Sequence, residues 1–332
     1  MQTRLTEAFG LAHPIVCAPM ALVTGGRLVD SVSRAGALGI LGGGYAGTLG
    51  GEPDLASEFA LITARPFGVG FITWALSQAP AALDRALAAR PEAVFLSFGD
   101  PTPFAKRIRA AGAGLICQTQ TLDHVARAVD AGARVVVAQG TEAGGHGGGR
   151  STLPFVPEVA DFLAARSPET LLLAAGGIAD GRGLAAALML GADGAVMGSR
   201  FWASAEALTP TAATDRAVRA TGDDTVRTRA IDRIRGVPWP DEFSFRVVRN
   251  RLTDAWADRE AESAAQRGSY AAEYQAARAR GDFDIVAVVA GEAVGLIRDR
   301  PPAADIVRRV VQEAEAALAR DWVGSATRPE SR

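Results

Sequence analysis

Short apolar runs recur along the chain, and an alanine-rich amphipathic stretch follows each of them. Eight runs have this form: Ile15 to Met20, Ala37 to Leu41, Phe67 to Trp74, Ala93 to Phe98, Gly114 to Gln118, Arg134 to Ala138, Leu171 to Ala175 and Gly194 to Gly198. Continuous apolar runs without strict alternation are typical of parallel strands buried on both faces, and the stretches between them suit crossover helices. The pattern therefore predicts strands and helices in alternation.

Glycine residues mark the ends of several predicted helices. Four amphipathic stretches stop at a glycine just before the next apolar run, at Gly36, Gly112, Gly132 and Gly191. Glycine at that place commonly ends a helix. Eight strand–helix units favour a closed (β/α)₈ barrel over an open doubly wound sheet, so the predicted fold class is α/β with a barrel architecture.

The pattern changes after Phe201. From Glu206 to about Arg280 the chain is rich in Arg, Asp, Glu and Ala, has helical periodicity and contains no buried-strand run. We therefore predict a barrel domain formed by residues 1–205 and 283–323, with a helical insertion domain at 206–282. Within the returning segment, residues 283–297 are expected to form a short extended excursion or hairpin, and residues 303–320 the eighth barrel helix. Residues 324–332 are expected to be a disordered tail.

Composition and charge narrow the range of partners. The chain has 332 residues, of which 48% are hydrophobic, so it can bury a large core. A formal charge of -2 without blocks of like charge gives no electrostatic reason to bind nucleic acid or an anionic membrane. No run reaches the roughly 20 apolar residues of a membrane span, and we expect no export leader. We expect a cytoplasmic protein with small-molecule partners, either monomer or homodimer.

Six of the predicted strands lead into segments with glycine or polar residues. In a (β/α)₈ barrel the active site lies at the carboxyl ends of the strands, so these segments share one rim. They are Ala18-Pro19-Met20, Gly42 to Tyr45, Gln118 to Gln120, Gln139 to Gly149, Gly176 to Asp180 and Gly198 to Arg200. Glycine is ordinary in any single turn, but six such segments on one rim predict a ligand site.

Two of these turns carry the clearest chemical signal. Gly176-Gly177 and Gly198-Ser199 follow the seventh and eighth strands, where barrels commonly bind a phosphate through backbone N–H groups, and the Ser199 hydroxyl adds a donor. A phosphorylated cofactor or substrate is therefore expected. Turns that serve folding alone are the alternative.

The loop after the sixth strand contains His146, one of three histidines in the chain. Glycines flank this imidazole, so packing gives little reason for it, while its titration near neutrality suits catalysis. No second His or Cys stands at ligand spacing, and no metal site is expected. Glu142 in the same loop is expected either as a functional group or as a carboxylate that fixes the loop through backbone N–H groups.

Together these segments resemble the nitronate monooxygenases, formerly called 2-nitropropane dioxygenases. The resemblance covers almost the whole chain and rests on residues 14–20, 68–71, 118–121, 139–146, 175–178, 197–200 and 291–297. The element Glu142-Ala-Gly-Gly-His146 is shared with flavin-dependent enoyl-acyl-carrier-protein reductases and with related NADH:quinone reductases. It indicates the superfamily and does not choose the reaction.

The resemblance implies an FMN-binding barrel that oxidises alkyl nitronates with molecular oxygen to a carbonyl compound and nitrite. It places His146 near the reactive face of the flavin as the catalytic residue. The cofactor-binding residues expected on this basis are Ala18, Pro19, Met20, Gln118, Gln139, Gly144, Gly145, Gly176, Gly177, Val196, Met197, Gly198 and Ser199. Gly70 departs from the family, where an asparagine often contacts the flavin, and Ser199 replaces the usual threonine.

Two other functions stay open on sequence grounds. One is a flavin-dependent reductase on the same scaffold, which would use NAD(P)H to reduce an enoyl thioester or a quinone. The other is a barrel that binds a phosphorylated ligand without redox turnover. Acceptor-dependent NAD(P)H oxidation separates the first from a monooxygenase, and a preparation without flavin favours the second.

Overall fold

The computed structural model of the protein describes residues 1–49 and 54–320, and its centre is a closed barrel of eight parallel strands. The strands of the chain are β1 Ile15–Cys17, β2 Leu38–Gly44, β3 Phe67–Ile72, β4 Ala93–Ser97, β5 Gly114–Thr119, β6 Val135–Gln139, β7 Gly145–Gly147, β8 Leu171–Ala175, β9 Gly194–Met197, β10 Thr225–Thr228 and β11 Ser244–Val248. The barrel order is β1-β2-β3-β4-β5-β6-β8-β9, and β9 pairs with β1 to close it. Each of the eight predicted apolar runs overlaps one barrel strand, and the predicted fold class is confirmed.

Helices connect the strands and surround the barrel. They are α1 Arg4–Phe9, α2 Gly26–Arg34, α3 Leu55–Ala60, α4 Thr73–Leu76, α5 Ala81–Ala88, α6 Thr102–Ala110, α7 Leu122–Asp130, α8 Thr152–Arg166, α9 Gly181–Met189, α10 Ser199–Trp202, α11 Thr211–Arg219, α12 Ala230–Arg235, α13 Arg251–Trp256, α14 Glu260–Ser263, α15 Arg267–Arg280 and α16 Ala303–Leu318. The four glycines predicted to end helices all have a left-handed backbone, with φ between +78° at Gly112 and +94° at Gly191. A residue with a side chain rarely adopts that conformation, which explains glycine there.

Strand side chains alternate between two apolar layers. Val16 and Val196 belong to the cluster inside the barrel, to which α1 adds Leu5 and Phe9. Ile15 and Met197 belong to the larger cluster shared by the strands and the surrounding helices. Both faces of each strand are thus buried, which is why its sequence is apolar without alternation.

Helix α16 occupies the place of the eighth barrel helix, as predicted. It packs against α9 and α2 after the chain returns from the insertion. A Cβ on Gly181 would lie 2.3 Å from the backbone nitrogen of Ala314, so glycine at the start of α9 lets the two helices approach closely.

The segment 206–282 contains helices α11 to α15, but it is not purely helical as expected. Strands β10 and β11 also lie in it, and β11 pairs with β7 from the rim loop to form a three-stranded antiparallel sheet. The division into a barrel domain and an insertion domain stays a prediction.

The segment 283–297 was expected to form a short extended excursion or a hairpin, and it does not form a hairpin. It contains one isolated bridge, between Val248 and Val288, and a 3₁₀ turn over Glu292–Leu296. The expected tail at 324–332 lies outside the described residues. In the part of the chain that the structure describes, no helix has the length and apolar character needed to cross a membrane.

Candidate active site

A cavity of about 530 Å³ opens at the carboxyl ends of the barrel strands, between the rim loops and the segment 206–297. This volume lies in the range of small-molecule and cofactor sites. All but one of the residues predicted for the site line its walls: Ala18, Pro19, Met20, Gln118, Gln139, Gly144, Gly145, His146, Gly176, Gly177, Val196, Gly198 and Ser199. These residues come from five separate parts of the chain, and the fold brings them together at one cavity.

Met197 is the predicted site residue that the structure places elsewhere. Its side chain is fully buried in the layer between strands and helices, and it does not line the cavity. Because side chains alternate along a strand, Val196 points into the barrel and Met197 points away from it. The Met197 carbonyl accepts a hydrogen bond from the Ala18 N–H, so its contribution at the rim is structural.

Protein packing explains two of the predicted glycines. A Cβ on Gly144 would lie 2.5 Å from the backbone nitrogen of Gly291, and a Cβ on Gly176 would lie 2.9 Å from the carbonyl oxygen of Gly140. Both distances are too short for real Cβ contacts, so these positions require glycine whether or not a ligand is bound.

Gly177 and Gly198 also line the cavity, and packing leaves space for a Cβ at both positions, although the left-handed backbone of Gly177, with φ of +74°, favours glycine. A Cβ on Gly198 would make only ordinary contacts, 3.7 Å from the Ala18 Cβ and 3.8 Å from the Met20 sulfur. Within the described residues, the N–H groups of Gly177, Gly198 and Ser199 donate to no acceptor. The Ser199 hydroxyl accepts a hydrogen bond from the Gly291 N–H at 2.9 Å, which leaves its own proton to donate. Unpaired backbone N–H donors of this kind are able to bind an anion.

The departure at Gly70 has a steric explanation. A Cβ there would lie 2.4 Å from the Cβ of Pro19, whose ring occupies the space that a side chain at position 70 would need. Pro19 therefore forms part of the apolar cavity wall where an amide side chain does not fit.

The Gln139 side chain helps to fix the loop that carries His146. Its Nε2 donates to the carbonyl oxygen of His146 at 3.0 Å, and its Oε1 accepts from Gln120 at 2.8 Å. Its remaining amide hydrogen is the part left for a ligand, whereas the Gln118 side chain lines the cavity.

Two arginines from the small sheet fix the same loop. The Arg227 guanidinium on β10 donates to the carbonyl oxygens of Thr141 at 2.8 Å, Ala143 at 2.9 Å and Gly147 at 3.2 Å. Arg246 on β11 donates to the Thr141 oxygen at 3.0 Å and pairs with Glu292. Burial, aided by the charge of Arg246, lowers the pKa of Arg227 to about 10, so it stays cationic at neutral pH.

Glu142 is structural, which was one of its two expected roles. Its carboxylate accepts hydrogen bonds from the backbone N–H of Thr152 at 2.9 Å and from the Thr152 hydroxyl at 2.8 Å. This contact ties the loop to the first turn of α8. No metal site was expected in this loop. Among the described residues, no group of His, Cys, Asp and Glu side chains is arranged so that it could hold a metal ion.

The imidazole of His146 lies between two aromatic rings. Trp239 stacks on one face with centroids 3.4 Å apart and planes inclined by 7°, and Phe245 stacks at 4.4 Å and 13°. At the ring edge, Nε2 lies 2.7 Å from Oδ2 of Asp232. Burial lowers the pKa of His146 below its ordinary value, and the Asp232 carboxylate opposes that shift. The ring is therefore neutral at pH 7 and can accept a proton.

The sequence did not single out the residues that surround this imidazole. Asp232 is one of many acidic residues in the segment 206–282, and Trp239 is one of five tryptophans in the chain, with no local pattern that relates either residue to His146. Their roles depend on the pairing of β11 with β7, which sets Phe245 opposite His146. The alternation of Phe245, Arg246 and Val247 was the one local signal of a strand.

The sequence profile of the nitronate monooxygenase family matches residues 2–313. The chain belongs to the nitronate monooxygenase family. A nitronate monooxygenase of Neurospora crassa is 34% identical, over 91% of this chain and 89% of the relative. The nitronate monooxygenase npaC of Metarhizium robertsii is 36% identical, over 92% and 91% respectively. Membership makes this protein an oxidoreductase that acts on small molecules, and it implies a flavin cofactor.

Solved structures agree with the family at the level of the whole fold. FabK of Thermotoga maritima superposes with a TM-score of 0.80 at 29% identity, covering 96% of this chain and 97% of FabK. A nitroalkane oxidase of Streptomyces ansochromogenes gives a TM-score of 0.76 at 28% identity, covering 95% and 99%. The same fold thus occurs in FabK and in a nitroalkane oxidase, so the fold alone does not identify the reaction.

Proposed function

We propose that this nitronate monooxygenase family member oxidises alkyl nitronates with molecular oxygen, giving a carbonyl compound and nitrite, with FMN as its cofactor. The observation that carries the proposal is the combination, in one cavity, of a neutral buried imidazole and a set of unpaired N–H donors. Family relatives named nitronate monooxygenase support the same reaction.

The residues of the cavity fit a flavin that ends in one phosphate. The N–H groups of Gly177, Gly198 and Ser199 offer one compact set of donors, which suits a monophosphate better than the diphosphate of a dinucleotide. Ala18, Pro19 and Met20 supply an apolar wall for the ring system. When bound, the flavin supplies the electron transfer and the reaction with oxygen.

The protein then has to bind the flavin and the substrate, orient them, and accept one proton when the substrate is a neutral nitroalkane. A nitronate has already lost its α-proton, so it needs no base. With a neutral nitroalkane, the α-carbon–hydrogen bond must break, its electron pair must stay on the substrate, and His146 accepts the proton on a ring nitrogen. A neutral imidazole with a lowered pKa is suited to that step at physiological pH.

A flavin-dependent reductase is the rival that a specific observation favours. The likeness to FabK covers 96% of this chain, and the glycine–histidine loop alone does not choose between the two reactions. Oxygen uptake on a nitronate, compared with NAD(P)H oxidation in the presence of an enoyl thioester or a quinone, separates the two.

The cofactor is tested on the purified protein. We expect a yellow preparation whose heat-released pigment co-migrates with FMN on chromatography. Release of FAD would contradict the monophosphate assignment. The absence of any flavin, even after reconstitution with FMN, would contradict the proposed function and favour a barrel that binds a phosphorylated ligand without redox turnover.

A further inference from the structure

The carboxylate of Asp232 lies against His146 although 86 residues separate them in sequence. Both side chains are deeply buried, with 4% of the Asp232 side chain and 7% of the His146 side chain exposed. A carboxylate costs several kcal/mol to bury unless a partner compensates it. So close and so buried a contact is specific, and it comes from helix α12 in the predicted insertion rather than from the barrel rim.

The surroundings of the imidazole leave one nitrogen for chemistry. Trp239 and Phe245 cover its two faces, and the contact with Asp232 occupies Nε2. Within the described residues, Nδ1 has no hydrogen-bond partner, and the His146 side chain lines the cavity. A substrate proton must therefore reach the ring in its plane, at Nδ1.

A neutral imidazole carries its proton on one nitrogen and its lone pair on the other. We propose that Asp232 is a positioning residue: it accepts the hydrogen bond from Nε2–H, keeps the lone pair on Nδ1, and stabilises the imidazolium that forms when Nδ1 takes the substrate proton. This proposal rests on the proposed role of His146 as the base. It assigns a part in proton transfer to the segment 206–282.

The other charges around the pair are consistent with this role. Arg235 on α12 lies 3.9 Å from Oδ1 of Asp232, and Arg227 approaches the loop from β10. Both cations disfavour protonation of His146, as burial does, and Asp232 is the group that favours it. Within the described residues, Oδ1 accepts no hydrogen bond, so the partner of this carboxylate at short range is the imidazole.

The first test is the tautomer itself, read from ¹⁵N chemical shifts of histidine ring nitrogens in the flavin-loaded protein. The chain has three histidines, so the His146→Asn variant assigns the signals. We expect the Nε2–H form in the wild type. In Asp232→Asn, Arg235 should attract the amide oxygen, so the amide nitrogen donates to Nε2 and moves the proton to Nδ1. A wild-type Nδ1–H form, or the same tautomer in both proteins, would overturn the proposal.

A pH titration of the same signals gives a second readout. Removal of the Asp232 charge should lower the pH at which His146 becomes protonated, because that charge favours the cation. Asp241→Asn is the matched control, since this exposed carboxylate lies in the same segment and pairs with Arg233. Equal titration of His146 in the wild type and Asp232→Asn would count against a role of Asp232 in its protonation.

Kinetics connect the tautomer to turnover. With flavin content matched, Asp232→Asn should lower kcat/KM for a neutral nitroalkane about 100-fold or more, while nitronate turnover changes by a few-fold at most. Asp232→Glu should recover part of the loss, and Asp241→Asn should resemble the wild type. Equal loss on both substrates would show a structural role and overturn the proposal. A wild type that turns over neither substrate would contradict the proposed function, and the tautomer measurement would still decide the role of Asp232.

Discussion

At His146, burial and charge act in opposite directions. The aromatic rings of Trp239 and Phe245 exclude water from both faces, which disfavours the charged form, while Asp232 favours it. The net effect is a pKa below the ordinary value, so the lone pair is available at pH 7. The same enclosure restricts the approach of a substrate to the edge of the ring.

Replacement of His146 by asparagine separates proton transfer from the later chemistry. Because a general base typically contributes about 10²- to 10⁴-fold, we expect His146→Asn to lose turnover of neutral nitroalkanes by that factor. Nitronate turnover should largely survive at equal FMN content, since that substrate needs no base. If nitronate oxidation collapsed equally, His146 would instead position the substrate or stabilise its negative charge.

The lowered pKa of His146 predicts a pH profile. The base form exists above the pKa, so kcat/KM for a neutral nitroalkane should hold as the pH falls through about 6.5, the ordinary histidine value, and decline only below it. His146 should also make the stability of the fold depend on pH. In the unfolded chain its pKa returns to about 6.5, so as the pH falls below that value the unfolded chain binds the proton first and the free energy of unfolding should decrease. Loss of the rate already above pH 6.5, measured at saturating flavin, would contradict the assignment.

Gly198 offers a direct test of the phosphate site. Its backbone is not left-handed, and an added Cβ would meet the protein only at ordinary distances, so Gly198→Val should fold normally. It should nevertheless displace the phosphate from a charged hydrogen bond worth about 1.5–3 kcal/mol, which weakens FMN binding about tenfold or more. Unchanged affinity, measured by fluorescence titration of FMN, would remove Gly198 from the site.

Gly177 needs a control for backbone strain, since its φ is +74°. Gly112 has φ of +78° and no neighbouring atom where a Cβ would lie, and its helix-ending turn precedes β5. Gly177→Ala and Gly112→Ala should therefore lose similar stability, and only the first should lose FMN affinity. Equal FMN affinity in the two folded variants would assign Gly177 to folding alone.

At the scale of elements, the site depends on the loop between β6 and α8. Its central residues form β7, Glu142 ties it to α8, and arginines on β10 and β11 bind its carbonyl oxygens. The loop is thus held from the barrel and from the segment 206–282 at once.

Arg227→Met tests this attachment. The change leaves buried carbonyl oxygens without donors, at a cost of about 1–3 kcal/mol in the free energy of unfolding, and it should loosen the loop that carries His146. Arg280→Met is the control, because its partner Asp282 is at the surface and such changes stay within about 0.5 kcal/mol. Equal effects in urea unfolding would mean that Arg227 does not hold the loop.

Sequence pattern predicted elements well where burial was complete. Each barrel strand is buried on both faces, so its apolar run was visible without any knowledge of neighbours. Arginine interrupts both β10, at Arg227, and β11, at Arg246, so no apolar run marked these strands. The hairpin alternative for 283–297 was wrong because the apolar residues of this irregular segment belong to two different apolar clusters instead of pairing with each other.

At the scale of the whole molecule, the barrel and the segment after it contribute different parts of the site. The strand ends bring the glycine turns, Met20 and Gln118 to one rim, which (β/α)₈ topology makes predictable. Asp232, Trp239 and Phe245 come from the following segment, and no rule of topology relates them to His146. Their contribution could be found only from the folded structure.

The reaction itself is tested by one comparison on the FMN-loaded protein. Oxygen uptake and nitrite release are measured with a primary alkyl nitronate, and NAD(P)H oxidation is measured beside them with an enoyl thioester and with a quinone. We expect oxygen consumption and nitrite from the nitronate in the absence of NAD(P)H, at a rate well above NAD(P)H oxidation with either acceptor. Rapid NAD(P)H oxidation that requires the thioester or the quinone, with no nitrite from the nitronate, would contradict the proposed function.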